Sequence, residues 1–109
     1  NKKLASMDME ERYRLILSTI FNAIGCRVEV EKMISTGRID MVVETSTIIY
    51  VLELKLSNNG GVNAAAEQIK AKQYAEPFKA DKRKVIALGV ELDETGKGLI
   101  DWKKVEETL

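Results

Sequence analysis

The segment GRIDMVVETSTIIYVLELKLS, Gly37 to Ser57, constrains the fold more than any other part of the chain. Two runs rich in β-branched residues flank Ser46-Thr47, and together they read as a β-hairpin. A turn centred there makes paired positions sum to 93, whether the loop holds two residues or four. Ile39 then opposes Leu54, Met41 opposes Leu52 and Val43 opposes Tyr50, an apolar face that reads as core. The other face pairs Val42 with Val51, Arg38 with Lys55, and Asp40 with Glu53. Carboxylates directly opposed on a sheet repel each other by a few tenths to about 1 kcal/mol. The cost grows if the helix carrying Glu10 lies over them and excludes water. A divalent cation relieves it: one or two carboxylates, with water and phosphate completing the shell, describe a Mg²⁺ site. Lys55 falls on the same face, roughly 6.5–7 Å beyond Glu53. From there its amine can hold or deprotonate a water, or neutralise a phosphate.

Asp, Glu and Lys at period two also describe a solvated sheet face. Three features set this one apart: the opposition of Asp40, the apolar Val42/Val51 pair beside it, and the register of Glu10. From Met7 to Ile24 the pattern is helical, with Tyr13, Leu17, Ile20 or Phe21, and Ile24 recurring at three- and four-residue steps. Ser6 or Asp8 is placed to cap its start, and Gly25 to end it. Glu10, three before Tyr13, projects onto the buried face of that helix; Glu11 projects toward water.

The remaining elements follow in order. CRVEVEKM alternates and reads as a strand exposed on one face, and Ser35-Thr36-Gly37 is a turn. SNNGGV breaks the pattern before a second helix from Val62 to Tyr74. KVIALGVEL is nearly continuous in apolar residues, the mark of a strand covered on both faces. LIDWKKV forms a short last strand or a strand leading into a helix, with Trp102 plugging the core. The order is α-β-β-β-α-β with one further strand, and an α/β fold with a central mixed sheet flanked by helices closes it.

At 109 residues the chain is one domain spanning residues 1–109. It opens NKKLASM without an initiator Met and reads as a fragment of a longer protein. No run is long enough to span a membrane, and the first residues lack the basic-then-apolar pattern of a signal peptide. Zero histidines and one cysteine exclude a Ser-His-Asp triad, a Cys-His pair and a His/Cys zinc site. Cys26 has no partner for an intrachain disulfide, which fits a reducing, cytoplasmic setting. Seventeen basic and seventeen acidic residues cancel, which argues against an autonomous, strongly basic DNA-binding module. Catalysis here falls to carboxylates, Lys, Arg, Tyr, hydroxyls or a hard metal ion.

A helix with an inward Glu, then GRID, then ELK at the end of the third strand, then EQIKAKQYA on a helix resembles the PD-(D/E)XK nuclease superfamily. More narrowly it is similar to the group found as a C-terminal domain behind an AAA-type ATPase domain in bacterial proteins. The likeness runs from about Glu10 to Trp102. It implies a restriction-endonuclease-like αβββαβ core and Mg²⁺- or Mn²⁺-dependent hydrolysis of phosphodiester bonds, usually in DNA. By position, Asp40 and Glu53 match the metal-binding carboxylates, Lys55 the motif lysine, and Glu10 the first-helix acid that joins them at the metal. Gln68 matches the glutamine that completes the site. Ile39 stands where the proline of the motif's name would be.

Arg38 and Lys72 are candidate phosphate contacts, against ordinary roles as an edge cation and a solvated helix lysine. KADKRK, Lys79 to Lys84, is the only dense basic run and reads most simply as a solvated loop. Tyr74 reads as packing at the end of the second helix. The rival functions are a non-catalytic nucleic-acid-binding or regulatory module of an ATPase-linked protein, and a dimerisation domain. Homo-oligomerisation is left open by the sequence.

Overall fold

Asp8 fixes where the first helix begins: its Oδ1 accepts the Glu11 N–H at 2.7 Å and satisfies one of the unpaired amides of the first turn. The computed structural model describes residues 7–106; Ser6, the alternative cap, lies outside them. Helix α1 spans Met9–Ala23. It ends as the sequence predicts, at Gly25, whose φ of 96° suits a residue without a side chain. The Gly25 N–H reaches the Asn22 carbonyl and the Cys26 N–H the Phe21 carbonyl, the paired bonds of a Schellman closure.

Strands β1 (Arg27–Ile34), β2 (Gly37–Glu44) and β3 (Ile48–Leu56) form an antiparallel meander. Helix α2 (Gly61–Lys72) then crosses over to β4 (Lys84–Leu92), which runs parallel to β3, and β5 (Leu99–Lys104) returns antiparallel along β4. The sheet order is β1-β2-β3-β4-β5. This is the expected α/β fold: a mixed sheet between two helices, consistent with a restriction-endonuclease-like core, with the additional strand in place. Among the described residues no helix is long and apolar enough to cross a membrane.

The hairpin register also agrees with expectation, pairing Met41 with Leu52, Val42 with Val51 and Val43 with Tyr50. Its two faces, however, are both core. Met41, Val43, Leu52 and Leu54 pack with Tyr13 of α1, flanked by Leu17 and Phe21. Val42, Ile49 and Val51 pack with Ala66 and Ile69 of α2 and with Tyr74. The β3-α2-β4 crossover claims the Val51 face, so α1 takes the opposite one and does not lie over the Val42/Val51 face. Ile39 departs from the expected pairing too: it packs in the α2 cluster with Val42 and not with Leu54.

Trp102 does not plug the core. It stands 59% exposed on β5, an edge strand exposed along its length. Helix α1 packs against β1, β2 and β3 and stops short of β5, leaving an apolar groove of about 830 Å³ lined by Ile16, Leu52, Val90 and Trp102. Ile20 and Ile24, two of the predicted inward positions, face out; Phe21 is the one that turns in. Tyr13, the one buried residue of α1, ties the helix to the β4–β5 loop. Its hydroxyl donates to the Asp93 carbonyl at 2.7 Å and accepts the Gly98 N–H at 3.0 Å.

Candidate active site

The ladder between β2 and β3 runs only as far as Met41↔Leu52. Beyond it the backbone pairing does not continue, so Asp40 and Glu53 are not the ladder pair that an ideal register makes them. Side chains close the gap instead. Asp40 Oδ2 accepts the Leu54 N–H at 2.9 Å, satisfying an amide that the ladder leaves unpaired. The Asp40 carboxylate lies close enough to Glu53 for its charge to act directly on the Glu53 carboxyl. Both residues are buried, Asp40 at 5% and Glu53 at 2% exposure, and they are the only buried charged residues of the described core.

Two features keep water away from Glu53. In the parallel register Glu53 lies beside Gly89. A Cβ at that glycine would come within 2.9 Å of the Ala66 amide nitrogen and 3.1 Å of the Ala65 Cβ. The missing side chain thus lets α2 settle directly on the sheet next to the acid. Glu91, two residues further on, pins the start of that helix: its Oε1 accepts the Val62 N–H at 2.9 Å and its Oε2 the Ser57 hydroxyl at 2.6 Å. The Ser57 bond, with the Val62 amide behind it, holds the Glu91 carboxyl below its ordinary pKa. Sequence reading missed Glu91. Its only signal was a carboxylate at the end of an otherwise apolar strand.

Burial is the largest cause that pushes Glu53 up, and the charge of Asp40 adds to it; Lys55 acts in the opposite direction without cancelling them. The Glu53 carboxyl stands at about 8. A carboxyl in this position holds its proton at neutral pH unless a cation replaces it. Lys55 Nζ lies 4.0 Å from Glu53 Oε2 and is mostly buried, so the predicted E-x-K neighbours are brought together.

Glu10 is half-buried near the same centre. Its carboxyl is raised first by burial and then by the charge of Asp40, while Arg14 and Lys55 pull it down. Arg14 Nη1 is 3.6 Å from Glu10 Oε1, and Arg14 Nη2 is 2.9 Å from Glu31 Oε1. Among the described residues no three acidic, His or Cys side chains gather closely enough to cage a metal.

Whether the residues fit a metal is decided by the pair alone. Glu53 Oε1 is buried with no hydrogen-bond partner, an expensive state for a polar atom in a core. Two carboxylates, one with an unsatisfied buried oxygen, suit a hard divalent cation that draws its other ligands from water and phosphate. The pair fits such an ion.

The other candidates lie on the rim. Gln68 of α2 donates its Nε2–H to the Tyr74 hydroxyl at 3.1 Å, and Tyr74 is buried against Gly37, where a Cβ would stand 3.2 Å from its oxygen. Lys72 reaches the same glycine, its Cδ 3.8 Å from that Cβ position. Arg38, next in β2, is half-exposed with Nη1 4.0 Å from Glu31 Oε2. Gln68, Lys72 and Arg38 therefore flank the start of β2, three residues from Asp40. The KADKRK run is tied down at Arg83, whose Nη2 lies 2.8 Å from both Glu44 Oε1 and Asp81 Oδ2.

The sequence profile of the PD-(D/E)XK nuclease superfamily matches residues 8–102. Among curated proteins, the chain is similar to the "Uncharacterized protein in vnfD 5'region" of Azotobacter chroococcum mcd 1, with 31% identity over 91 residues. That alignment covers 84% of this chain and 18% of the relative's length. No solved structure matches the chain.

Proposed function

This chain belongs to the PD-(D/E)XK nuclease superfamily, and from that premise we propose that it hydrolyses phosphodiester bonds of DNA with a divalent cation, Mg²⁺ or Mn²⁺. Asp40 and Glu53 would hold the ion. When bound, such an ion polarises a phosphoryl oxygen and lowers the pKa of an attacking water. The observation that carries the reading is the buried acid pair with its unpartnered Glu53 oxygen.

The chain's own residues then divide the work. Asp40 is held by the Leu54 amide, which fixes its Oδ2. Glu53 gives up its proton on loading, and the apolar cover of α2 keeps bulk water from competing for its oxygens. Lys55, 4.0 Å from Glu53, orients the nucleophilic water or meets the charge that develops on phosphate. Glu10 joins as a third acid by leaving Arg14. Gln68, Arg38 and Lys72 border the scissile strand, with the two cations taking backbone phosphates. The longer parent that we infer carries an AAA-type ATPase domain before this one, and ATP hydrolysis by the full-length protein tests that assignment.

Incubation of linear, circular and branched DNA with Mn²⁺ tests the activity, comparing wild type with Lys55→Ala. Cleavage by the wild type that falls about a hundredfold or more in the variant is the expected result. Equal cutting by both proteins would mean a different site or a contaminant. Absence of cutting by the wild type, with tight binding to an ATPase partner, would favour the non-catalytic module.

A further inference from the structure

Glu31 has a left-handed backbone inside a strand, with φ at 53°. The other described non-glycine residue with positive φ is Gln73, which ends α2 and needs no special account. A residue with a Cβ resists this conformation, and Glu31 sits at no turn. Such outliers persist where the surrounding structure demands them.

Its position points to the demand. Every β1–β2 pair from Arg27↔Glu44 to Ile34↔Gly37 keeps one register, and the pairing steps from Val30↔Met41 to Lys32↔Ile39. The residue skipped on β2 is Asp40, and Glu31 stands across from it. Strand alternation fails at the same place. Met41 and Val43 join the α1 core, whereas Ile39, which alternation would put beside them, joins Val42 in the α2 core. The strand has therefore been turned between Ile39 and Val42. On its other side the freed Asp40 carboxylate takes the Leu54 N–H.

We propose that Glu31 is a positioning residue for Asp40: its left-handed backbone loosens β1 from β2 at that level and lets the Asp40 carboxylate turn to Leu54 and Glu53. The backbone does this; the Glu31 side chain, 2.9 Å from the mostly buried Arg14 and near the exposed Arg38, makes a separate contribution that the charge-removing variant isolates. The inference rests on the nuclease reading only for its effect on cleavage; the placement of Asp40 can be read without it.

Three variants separate backbone from charge. Glu31→Gly adopts the left-handed conformation freely and removes the carboxylate; Glu31→Gln keeps the side-chain shape and loses the charge; Glu31→Val loses the charge and resists positive φ. Hydrogen exchange at the Leu54 amide reports where Asp40 sits, because Asp40 is its acceptor. Leu54 protection in Glu31→Gly and Glu31→Gln should stay within about threefold of wild type, and in Glu31→Val it should fall about tenfold or more, as for a lost hydrogen bond. Mn²⁺-dependent cleavage should follow the same order in kcat, with KM for DNA unchanged and activity restored in Glu31→Gly. A folded Glu31→Val protein with intact Leu54 protection overturns the proposal, as does a Glu31→Gly protein that loses protection. If Glu31→Val does not fold, the glycine variant decides alone: protection kept, with a melting temperature at or above that of Glu31→Gln, supports the proposal, and protection lost overturns it. If even the wild type cuts no DNA, the nuclease reading falls and the Leu54 amide still decides the role of Glu31.

Discussion

Replacing Glu53 with glutamine in the metal-free protein should stabilise it at neutral pH. The wild-type carboxyl stands at about 8 in the folded chain against 4.5 in its ordinary state. At about 1.36 kcal/mol per pH unit, a gap of that size corresponds to a penalty on the order of a few kcal/mol at pH 7, shared with the neighbouring Asp40. The sign follows from proton counts. Between 4.5 and 8 the folded chain holds a proton on Glu53 that the unfolded chain has released, so stability falls as pH rises through that window. Below 4.5 both states are protonated and the penalty vanishes. The substituted amide keeps the shape of the carboxyl, stays neutral and can donate its hydrogen to Asp40. Thermal melts in a chelator, from pH 5 to pH 8 at constant ionic strength, provide the assay. Glu53→Gln should melt about 10 °C or more above wild type at pH 7 and converge with it near pH 5. Wild-type stability that is flat or rises over that range, with no gain from Glu53→Gln, would mean that Glu53 is not a protonated, buried acid.

Other outcomes follow from the same structure. Asp40→Asn should abolish most of the increase in melting temperature that Mn²⁺ gives the wild type, because binding to the native state alone is what raises it; an undiminished increase would place the ion elsewhere. Gly89→Ala would force a Cβ to within 2.9 Å of the Ala66 backbone nitrogen and should cost about 1–3 kcal/mol in urea unfolding as α2 lifts from the sheet. Glu91→Ala should lower the urea midpoint by leaving the Val62 amide without its partner, with Mn²⁺ binding weakened less than by Asp40→Asn.

Much of the fold was legible because its signals are local. Asp8, Gly25 and the Ser46-Thr47 turn each act within a few residues, and the turn's centre carries the hairpin register all the way to Met41↔Leu52. The candidate site was legible as a grouping of residue types, since Asp40 and Glu53 are both buried and Lys55 lies 4.0 Å from Glu53. What the sequence could not convey lies in longer-range geometry. Ideal alternation assigned Ile39 to the Leu54 face, but the turn in β2 opposite Glu31 reverses it, and nothing in a glutamate's identity announces a left-handed backbone. Ile16, Ile20 and Ile24 compete with Leu17 and Phe21 for the inward stripe of α1, and only the packed sheet decides between them. Trp102 looked like a core residue by size, yet α1 ends its coverage before β5. Glu91 was silent because its partners, Ser57 and Val62, come from the far side of the β3–α2 connection.

If Asp40 and Glu53 together take up a divalent cation, calorimetric titration with Mn²⁺ near pH 7 will register both the ion and the proton it displaces. Run in buffers of different ionisation enthalpy, the titration should show one ion bound with release of about one proton from Glu53. That release should disappear in Glu53→Gln, and binding should fail in Asp40→Asn. Binding without proton release, or binding that survives Asp40→Asn unchanged, would rule out the buried pair as the seat of the ion.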